Sequence, residues 1–324
     1  MRAASAKQAG RRLHVVAGVI RNRQGNILLA RRAPGRHQGG RWEFPGGKVE
    51  AGESAQEALA RELREELGLQ AEQMRPLIRI PYDYPDRRIL LDVWEVLRWS
   101  GRPEGREGQP IRWVAEEELD YHPLPEANRP VVTACRLPGR YLITPEPENA
   151  EAFLNLLELT LVHRDIRLVQ LRARRLPYRE LEALVPKVKA CCEAHGASLL
   201  LNRHLELAER YRLGVHLSAE QLGILTRRPL AGNRWVAASC HDARSLALAT
   251  GIGADFAVLS PVLATASHPG AEPLGWDQFE ALVRKATLPV YALGGMEERH
   301  FPAARAHGAQ GIAAIRGLWS GLNR

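Results

Sequence analysis

The chain has 324 residues, 45% of them hydrophobic and 25% charged, which is enough for two independently folded domains of ordinary globular composition. Its formal net charge of +8 comes from 40 arginines and 5 lysines spread through every segment, with no Lys/Arg run longer than three residues. Dispersed positive charge of this kind argues against a nucleic-acid-binding surface and is compatible with a small anionic substrate.

The sequence carries no signal for a membrane or for an oxidising compartment. No stretch approaches the ~18 apolar residues of a transmembrane helix, and the basic segment MRAASAKQAGRR is followed by no apolar signal-peptide core. The cysteines Cys135, Cys191, Cys192 and Cys240 form no CxxC pair and have no metal-type spacing. These features predict a soluble cytoplasmic protein without a membrane partner.

The first part of the sequence alternates short apolar strands with helical patterns. We predict strands at 13–21, 27–32, 77–82, 88–97 and 111–114, with a short strand just before residue 47 and a closing helix at 126–136. Strands then a helix, followed by strands and a second helix, predict an α+β sandwich.

Residues 47–69 read GKVEAGESAQEALARELREELGL and predict a helix over most of their length. Ser54 is a good N-cap, Glu57 stands three residues later as in a capping box, and Gly68 is a typical C-cap. Its leucine stripe, which can face a core, consists of Leu59, Leu63 and Leu67.

The same helix carries three carboxylates, Glu62, Glu65 and Glu66, within roughly a 100° arc. A solvated acidic surface is the alternative interpretation. Like charges at these spacings repel one another, however, and a site for hard cations would relieve that repulsion.

This stretch matches the Nudix box, G-x5-E-x7-R-E-U-x-E-E-x-G-U with U aliphatic, at every defined position. The resemblance implies hydrolysis of a nucleoside diphosphate linked to another group, with Mg²⁺ as the cofactor or Mn²⁺ as an alternative. It implies metal ligands at Gly46, Glu62, Glu65, Glu66 and Glu107, and further catalytic positions at Glu53 and Arg61. Which of Glu62, Glu65 or Glu107 is the general base stays open.

Further segments resemble the MutT-type 8-oxo-dGTP diphosphatase branch of that superfamily: GVIRNRQGNILLARR, EFPGGKVEAGES, YPDRRILLDVWEV, REGQPIRWV and LPEANRPVV. This resemblance implies a nucleoside triphosphate substrate and release of the monophosphate and pyrophosphate. It implies substrate contacts at Arg32, His37, Phe44, Tyr84 and Asn128, with Asn128 on the base edge of the oxidised purine. Asn128 as a helix cap and Arg32 as a surface arginine are the alternatives.

Leu137-Pro138-Gly139 marks a domain boundary, giving domains 1–137 and 138–324. Candidate strands then begin near Tyr141, Arg167, Ser198, Gly214, Trp235, Phe256, Pro289 and Gly311, each followed by a helical pattern. Repeated strand–helix units predict a (β/α)8 TIM-type barrel. An open doubly wound sheet is the alternative.

The segments RYLIT, VQLRAR, LLLNRHLELA, GVHLSAEQL, SPVLATASHPG and YALGGM resemble the thiamine phosphate synthase and thiazole tautomerase superfamily. This resemblance implies a phosphorylated thiazole-like ligand and a site containing Gln170, Arg172, Asn202, His241, Gly294 and Gly295. The synthases hold Mg²⁺ with two aspartates, whose positions are Arg203 and Gln221 here. We therefore expect no Mg²⁺ in the barrel and no synthase activity. His241 is either a general acid/base, as in the tautomerase branch, or a helix cap.

Three functional hypotheses follow. The first is a diphosphatase for oxidised guanine nucleotides that carries a thiamine-synthase-like barrel. The second is a Nudix hydrolase of a thiamine-pathway diphosphate, with the barrel acting as a thiazole tautomerase. The third makes the barrel a non-enzymatic sensor of a phosphorylated ligand.

Overall fold

The structure is a computed structural model that describes residues 12–35, 37–265 and 270–319. Arg136 is the last residue of an N-terminal unit and Leu137 the first of a C-terminal unit; the predicted boundary followed residue 137. Residues 266–269 of the SPVLATASHPG segment and the basic residues 1–11 lie outside the described part.

The described residues of the N-terminal unit form two three-stranded sheets and two α-helices, the α+β arrangement that the sequence predicts. In one sheet β1 is parallel to β5 and β5 is antiparallel to β4, whereas the other sheet has the antiparallel order β3-β2-β6. The elements are β1 (Leu13–Ile20), β2 (Ile27–Arg31), β3 (Trp42–Glu43), α1 (Ala55–Leu67), β4 (Gln70–Asp83), β5 (Arg88–Ser100), β6 (Ile111–Val114) and α2 (Arg129–Arg136).

Helix α1 begins and ends where its capping residues predict. The Ser54 hydroxyl accepts a hydrogen bond from the Glu57 N–H, and the Glu57 carboxylate accepts one from the Ser54 N–H, while Gly68 has the left-handed φ of 70°. The leucine stripe of the helix is fully buried. Burying each leucine stabilises the fold by roughly 1.5–3 kcal/mol, so the buried face fixes the helix against the sheet.

The predicted helix at 126–136 is divided in two. Glu126–Asn128 forms a 3₁₀ turn, and the α-helix proper begins at Arg129. Pro130 is the second residue of that helix, where a missing N–H costs no helical hydrogen bond.

The C-terminal unit is a closed barrel of eight parallel strands in the order β10-β11-β12-β13-β14-β7-β8-β9. Its strands are β7 (Arg140–Ile143), β8 (Leu168–Leu171), β9 (Ser198–Asn202), β10 (Gly214–Leu217), β11 (Val236–Cys240), β12 (Phe256–Leu259), β13 (Val290–Leu293) and β14 (Gly311–Ala314). Its helices are α3 (Ala150–Arg164), α4 (Tyr178–Ala194), α5 (Leu205–Arg210), α6 (Ala219–Ile224), α7 (Ala243–Gly251), α8 (Gly275–Val283) and α9 (Phe301–Ala306).

Closure of the sheet confirms the barrel, and the alternative of an open doubly wound sheet is wrong. The first and last strands pair directly, with Ile312 opposite Arg140 and Ala314 opposite Leu142. An open sheet would leave both of those strands with a free edge.

The barrel interior is filled with side chains rather than open. Tyr141, Phe256 and Tyr291 are fully buried, with ring centroids 5.3–5.7 Å apart. A larger apolar layer packs between the strands and the surrounding helices. This packing leaves the loops after the strands as the place for a site.

Within the described residues, no helix is both long enough and apolar enough to cross a membrane.

Candidate active sites

Glu62 and Glu66 of α1 border the same cavity of the N-terminal unit. Glu62 lies against the backbone of Gly47, where a Cβ atom would stand 2.3 Å from its carboxylate. Because only a residue without a side chain leaves that space, the Gly46-Gly47 turn and α1 can approach closely.

Glu66 lies in strongly negative surroundings. Burial raises its pKa to about 7, and the carboxylates of Glu62, Glu43 and Glu107 add to the rise. A hydrogen bond from the Gly46 N–H opposes the shift. The segments before and after α1 thus concentrate negative charge at this residue.

Arg61 connects the other acidic residues of the box. Its guanidinium donates to Glu53 at 2.7 and 3.0 Å, to Glu62 at 3.0 Å and to Glu65 at 3.2 Å. It also donates to the carbonyl of Lys48 at 3.1 Å. Arg61 and Glu53 therefore tie the loop before α1 to the helix, which suits a positioning role.

Glu107 belongs to a loop that is fastened to the last turn of α1. The backbone N–H of Arg106 and the side chain of Gln109 both donate to the Glu66 carbonyl, at 2.9 and 3.0 Å. Gln109 also accepts a hydrogen bond from the Glu107 N–H at 2.8 Å. This arrangement explains how a residue 41 positions from Glu66 contributes to its charge environment.

The donor set suits a hard divalent cation. Within the described residues, no three His, Cys, Asp or Glu side chains converge on one point as they stand, and Glu65 is turned towards Arg61. Burial raises the pKa of Glu66, and the carboxylates of Glu62, Glu43 and Glu107 add to that rise, so a cation placed among these groups would favour the ionised carboxylate. All the candidate ligands are oxygen atoms, which Mg²⁺ and Mn²⁺ prefer.

The predicted substrate-binding residues border the same cavity as Glu62 and Glu66. This cavity has a volume of about 590 Å³, and its lining includes Arg32, His37, Gly46, Phe44, Tyr84 and Asn128. Glu53, Arg61, Glu65 and Glu107 are not part of that lining. The structure thus places a binding pocket next to two of the box carboxylates.

Asn128 is 8% exposed and opens onto this cavity. Among the described residues, none forms a hydrogen bond with its side-chain amide, so the alternative of a helix cap has no support there. A buried amide normally has a partner, and here the cavity is where one can bind.

Arg32 and His37 lie together in the lining of this cavity. The Arg32 guanidinium lies 2.7 Å from a Glu43 carboxylate oxygen and donates to the His37 carbonyl at 2.7 Å. His37 Nδ1 is 3.3 Å from Asp86, and its ring meets that of Tyr84 edge-on at 5.1 Å. Arg32 is therefore held in place rather than extended into solvent.

This cavity is also lined by Glu43, Lys48 and Arg87, which were not predicted from the sequence. Glu43 could have been found from the short strand of which it is the last residue, three positions before Gly46. Lys48 and Arg87 carry no signal that separates them from the other basic residues of the chain.

The six residues predicted for the C-terminal unit border one cavity of about 830 Å³ at the carboxyl ends of the strands. They are Gln170, Arg172, Asn202, His241, Gly294 and Gly295. Gln170 is buried, and its side-chain amide donates to the side-chain oxygen Oδ1 of Asn202 at 3.5 Å.

His241 is held by its ring rather than used as a cap. Its Nδ1 lies 2.7 Å from the Ser260 carbonyl, so Nδ1 is the donor, and in the neutral ring Nε2 has the lone pair. The side chain that caps α7 is Asp242. The helix-cap alternative for His241 is therefore wrong, because the Asp242 side chain accepts the capping hydrogen bond from the Ser245 N–H.

A buried hydrogen-bonded chain reaches the same cavity and was not predicted. The Tyr141 hydroxyl is 3.0 Å from His216 Nδ1, and His216 Nε2 is 2.9 Å from the Ser239 hydroxyl. His216 Nδ1 is the acceptor that the described residues offer to the Tyr141 hydroxyl. A buried hydroxyl must donate. Tyr141 therefore donates to His216, and His216 donates to Ser239.

The two positions at which the synthases carry aspartate are joined directly. The Gln221 side chain donates to the Arg203 carbonyl at 2.8 Å, and the Arg203 guanidinium pairs with Glu220 at 2.7 Å. These residues provide a cation and an amide, so they do not fit Mg²⁺.

Two family models match the chain, one in each unit. The model described as NUDIX domain matches residues 16–134, and the model described as thiamine monophosphate synthase matches residues 140–318. The chain belongs to both families, as a fusion of a Nudix hydrolase with a thiamine monophosphate synthase-type barrel.

Curated relatives agree with this division. The 8-oxo-dGTP diphosphatase of Escherichia coli strain K12 is 41% identical over 126 residues, which is 39% of this chain and 98% of the relative. The CTP pyrophosphohydrolase of the same organism is also 41% identical, over 38% of this chain and 90% of the relative. A putative thiamine-phosphate synthase 2 of Aquifex aeolicus is 36% identical over 55% of this chain and 96% of the relative.

Proposed function

We propose that the N-terminal unit hydrolyses 8-oxo-dGTP and related oxidised purine nucleotides to the monophosphate and pyrophosphate, with Mg²⁺ as its cofactor. The buried Asn128 amide, facing the cavity that Glu62 and Glu66 share, carries the proposal. An amide can accept a hydrogen bond from the N7–H of 8-oxoguanine and donate one to O6. Guanine has an acceptor at N7 instead.

Different residues would bind the base and the cations that accompany the phosphates. Asn128, Tyr84 and His37 would hold the base, and Arg32 would also contact the nucleotide. Glu62, Glu65, Glu66, Glu107 and the Gly46 carbonyl would hold the cations. When bound, Mg²⁺ neutralises phosphate charge and makes water a better nucleophile. A carboxylate facing the cavity then accepts the proton of the attacking water.

Replacing Asn128 with alanine tests the choice of substrate. We expect Asn128→Ala to lower kcat/KM for 8-oxo-dGTP about ten- to a hundredfold more than for dGTP, because a lost buried hydrogen bond costs about 1–3 kcal/mol. The measurement is pyrophosphate release with both nucleotides. Equal losses for the two nucleotides would refute base recognition by Asn128.

A second candidate substrate is a pyrimidine triphosphate or a thiamine-pathway diphosphate. The similarity to a CTP pyrophosphohydrolase favours the former, and the presence of the barrel in the same chain favours the latter. Initial rates of pyrophosphate or phosphate release from 8-oxo-dGTP, CTP and thiamine diphosphate, measured at equal concentrations well below KM, rank the three by kcat/KM.

For the barrel, we propose binding of a phosphate-bearing ligand without synthase activity. Arg203 and Gln221 support the loss of synthesis, because a Mg²⁺ site needs carboxylates at those positions. The His241 lone pair leaves a proton-transfer role available to the same cavity.

A further inference from the structure

Asn128 is the last residue of a short turn that borders the cavity of the N-terminal unit. Its N–H donates to the Pro125 carbonyl at 2.9 Å, and the residue before it, Ala127, is fully buried. The hydrogen-bond geometry of a 3₁₀ turn is poorer than that of an α-helix, so a turn of three residues has little stability of its own. Contacts from elsewhere in the chain must therefore fix the position of the Asn128 amide.

One group of contacts comes from the segment that leads into and begins β3. The Arg41 guanidinium donates to the Leu124 carbonyl and to Glu126 Oε1, both at 3.0 Å. The Trp42 N–H donates to the Pro123 carbonyl, also at 3.0 Å. These bonds hold the approach to the turn and the first residue of the turn.

The other contact comes from Tyr84, whose hydroxyl accepts a hydrogen bond from the Ala127 N–H. Tyr84 lies in the hairpin between β4 and β5, where its own N–H donates to the Arg87 carbonyl at 2.8 Å. Burial raises the pKa of Tyr84, and the hydrogen bond from Ala127 opposes that rise. The side chain is therefore a neutral phenol near pH 7 and accepts through an oxygen lone pair. Because Ala127 directly precedes Asn128, this bond holds the part of the turn that carries the amide.

The Tyr84 ring is itself held by other rings. The ring of Tyr82 lies 4.7 Å away in a tilted arrangement, and the ring of His37 meets it edge-on at 5.1 Å. Tyr84 also packs against an apolar cluster of the N-terminal unit. Aromatic pairs of these geometries are favourable, so the ring keeps its hydroxyl in one place.

We infer that the Tyr84 hydroxyl is a positioning group for base recognition, which holds the turn that carries Asn128 and does not touch the base itself. This inference rests on the proposed recognition of the oxidised base by Asn128 and adds what fixes the amide. The Tyr84 ring borders the cavity, so the ring would face the base while the hydroxyl holds the turn. A displaced amide would lose preference for the oxidised base, since hydrogen bonds weaken steeply as their angle worsens.

Tyr84→Phe tests the inference, because it removes the hydroxyl and keeps the ring. We expect kcat/KM for 8-oxo-dGTP to fall roughly three- to tenfold more than kcat/KM for dGTP, as the loss of one neutral hydrogen bond predicts. Pyrophosphate release with both nucleotides is the measurement. Tyr82→Phe is the matched control, because the Tyr82 ring contacts that of Tyr84 but is not part of the cavity lining that the described residues form. It should keep the preference of the parent chain.

A double-mutant cycle with Asn128→Ala separates positioning from direct contact. If the Tyr84 hydroxyl acts through Asn128, the double variant should have the same preference between the two nucleotides as Asn128→Ala alone. A further loss of preference in the double variant would mean that the hydroxyl contacts the base, which overturns the inference while base recognition by Asn128 stands.

Two results in the single variants are also decisive. An equal fall for both nucleotides in Tyr84→Phe, or no fall, would give the hydroxyl a merely structural role or none, and overturns the inference alone. Equal losses for both nucleotides in Asn128→Ala would refute base recognition by Asn128, and the inference with it.

Discussion

Glu65 and Glu66 are adjacent in the sequence and lie in different surroundings. The Glu65 side chain is 54% exposed and pairs with Arg61, whereas Glu66 is partly buried near other carboxylates and its pKa is raised. Both residues match the Nudix box, so the box pattern does not indicate which carboxylate is exposed to solvent and which is partly buried.

We expect Glu65→Gln and Glu66→Gln each to reduce Mg²⁺-dependent hydrolysis on the order of a hundredfold or more, because each removes an anionic ligand. The fold should survive, since glutamine keeps the shape and relieves like-charge repulsion. Turnover and thermal unfolding of each variant are measured beside Glu72→Gln, an exposed control on β4. Near-normal turnover in both variants would exclude the metal-ligand assignment.

His216 makes the stability of the barrel depend on pH. Burial lowers its pKa from 6.5 to about 3. The unfolded chain therefore binds the proton first as pH falls, and stability decreases from about pH 6.5 down towards pH 3. Between pH 7 and pH 5 the loss from this group is about 2 kcal/mol.

The measurement is the denaturant-induced unfolding of the C-terminal unit within the full chain at pH 7 and pH 5. In His216→Gln, whose amide can still accept from Tyr141 and donate to Ser239, the drop in unfolding free energy should shrink by about that 2 kcal/mol. An unchanged drop would mean that other groups cause the acid sensitivity.

At the scale of elements, the contact between the glycine turn and α1 determines where Glu62 points. In Gly47→Ala the new methyl group would displace the Glu62 carboxylate, which is the flexible end of its side chain. We expect turnover to fall at least about tenfold with little loss of stability, since a misplaced catalytic group is costly and the strain is easily relieved.

Gly35→Ala is the matched control, because a Cβ atom there meets nothing within 4 Å. Equal turnover in the two alanine variants would show that the Gly47 contact does not position Glu62.

Helix α1 could be predicted from end to end because its signals are local. Its caps, Ser54 and Gly68, are 14 residues apart in the sequence, and its leucine stripe repeats every fourth residue. The barrel strands were also predictable, since each is a short apolar run next to a helical pattern. Local pattern therefore determined most of the fold.

The sites depended on pairings that no local pattern contains. Strand β1 lies parallel to β5, with Val16 opposite Asp92, and the negative environment of Glu66 comes partly from Glu43 and Glu107. The hydrogen bonds that connect Tyr141, His216 and Ser239 join three strands of the barrel. The resemblance predicted individual site residues, but the residues that contact them could be identified only from the folded structure.

At the scale of the whole molecule, each unit has apolar clusters of its own. We expect a fragment from Leu137 onward to fold alone and to lack thiamine phosphate synthase activity. The test is growth without thiamine of a cell that lacks its synthase, with an authentic synthase as the positive control. Circular dichroism of the purified fragment establishes that it is folded, and restored growth would show that Arg203 and Gln221 permit synthesis.

The N-terminal unit has open sheets with edge strands, whereas the barrel sheet is closed. A closed barrel has no outer strand, whereas β4 is an outer strand of its three-stranded sheet. Long outer strands invite pairing with another chain, which leads to aggregation. Strand β4 has irregular register between Ala71 and Ile78, and Pro76 and Pro81 lack a donor N–H. The N-terminal unit can therefore keep a 14-residue outer strand without offering a regular template to a second molecule.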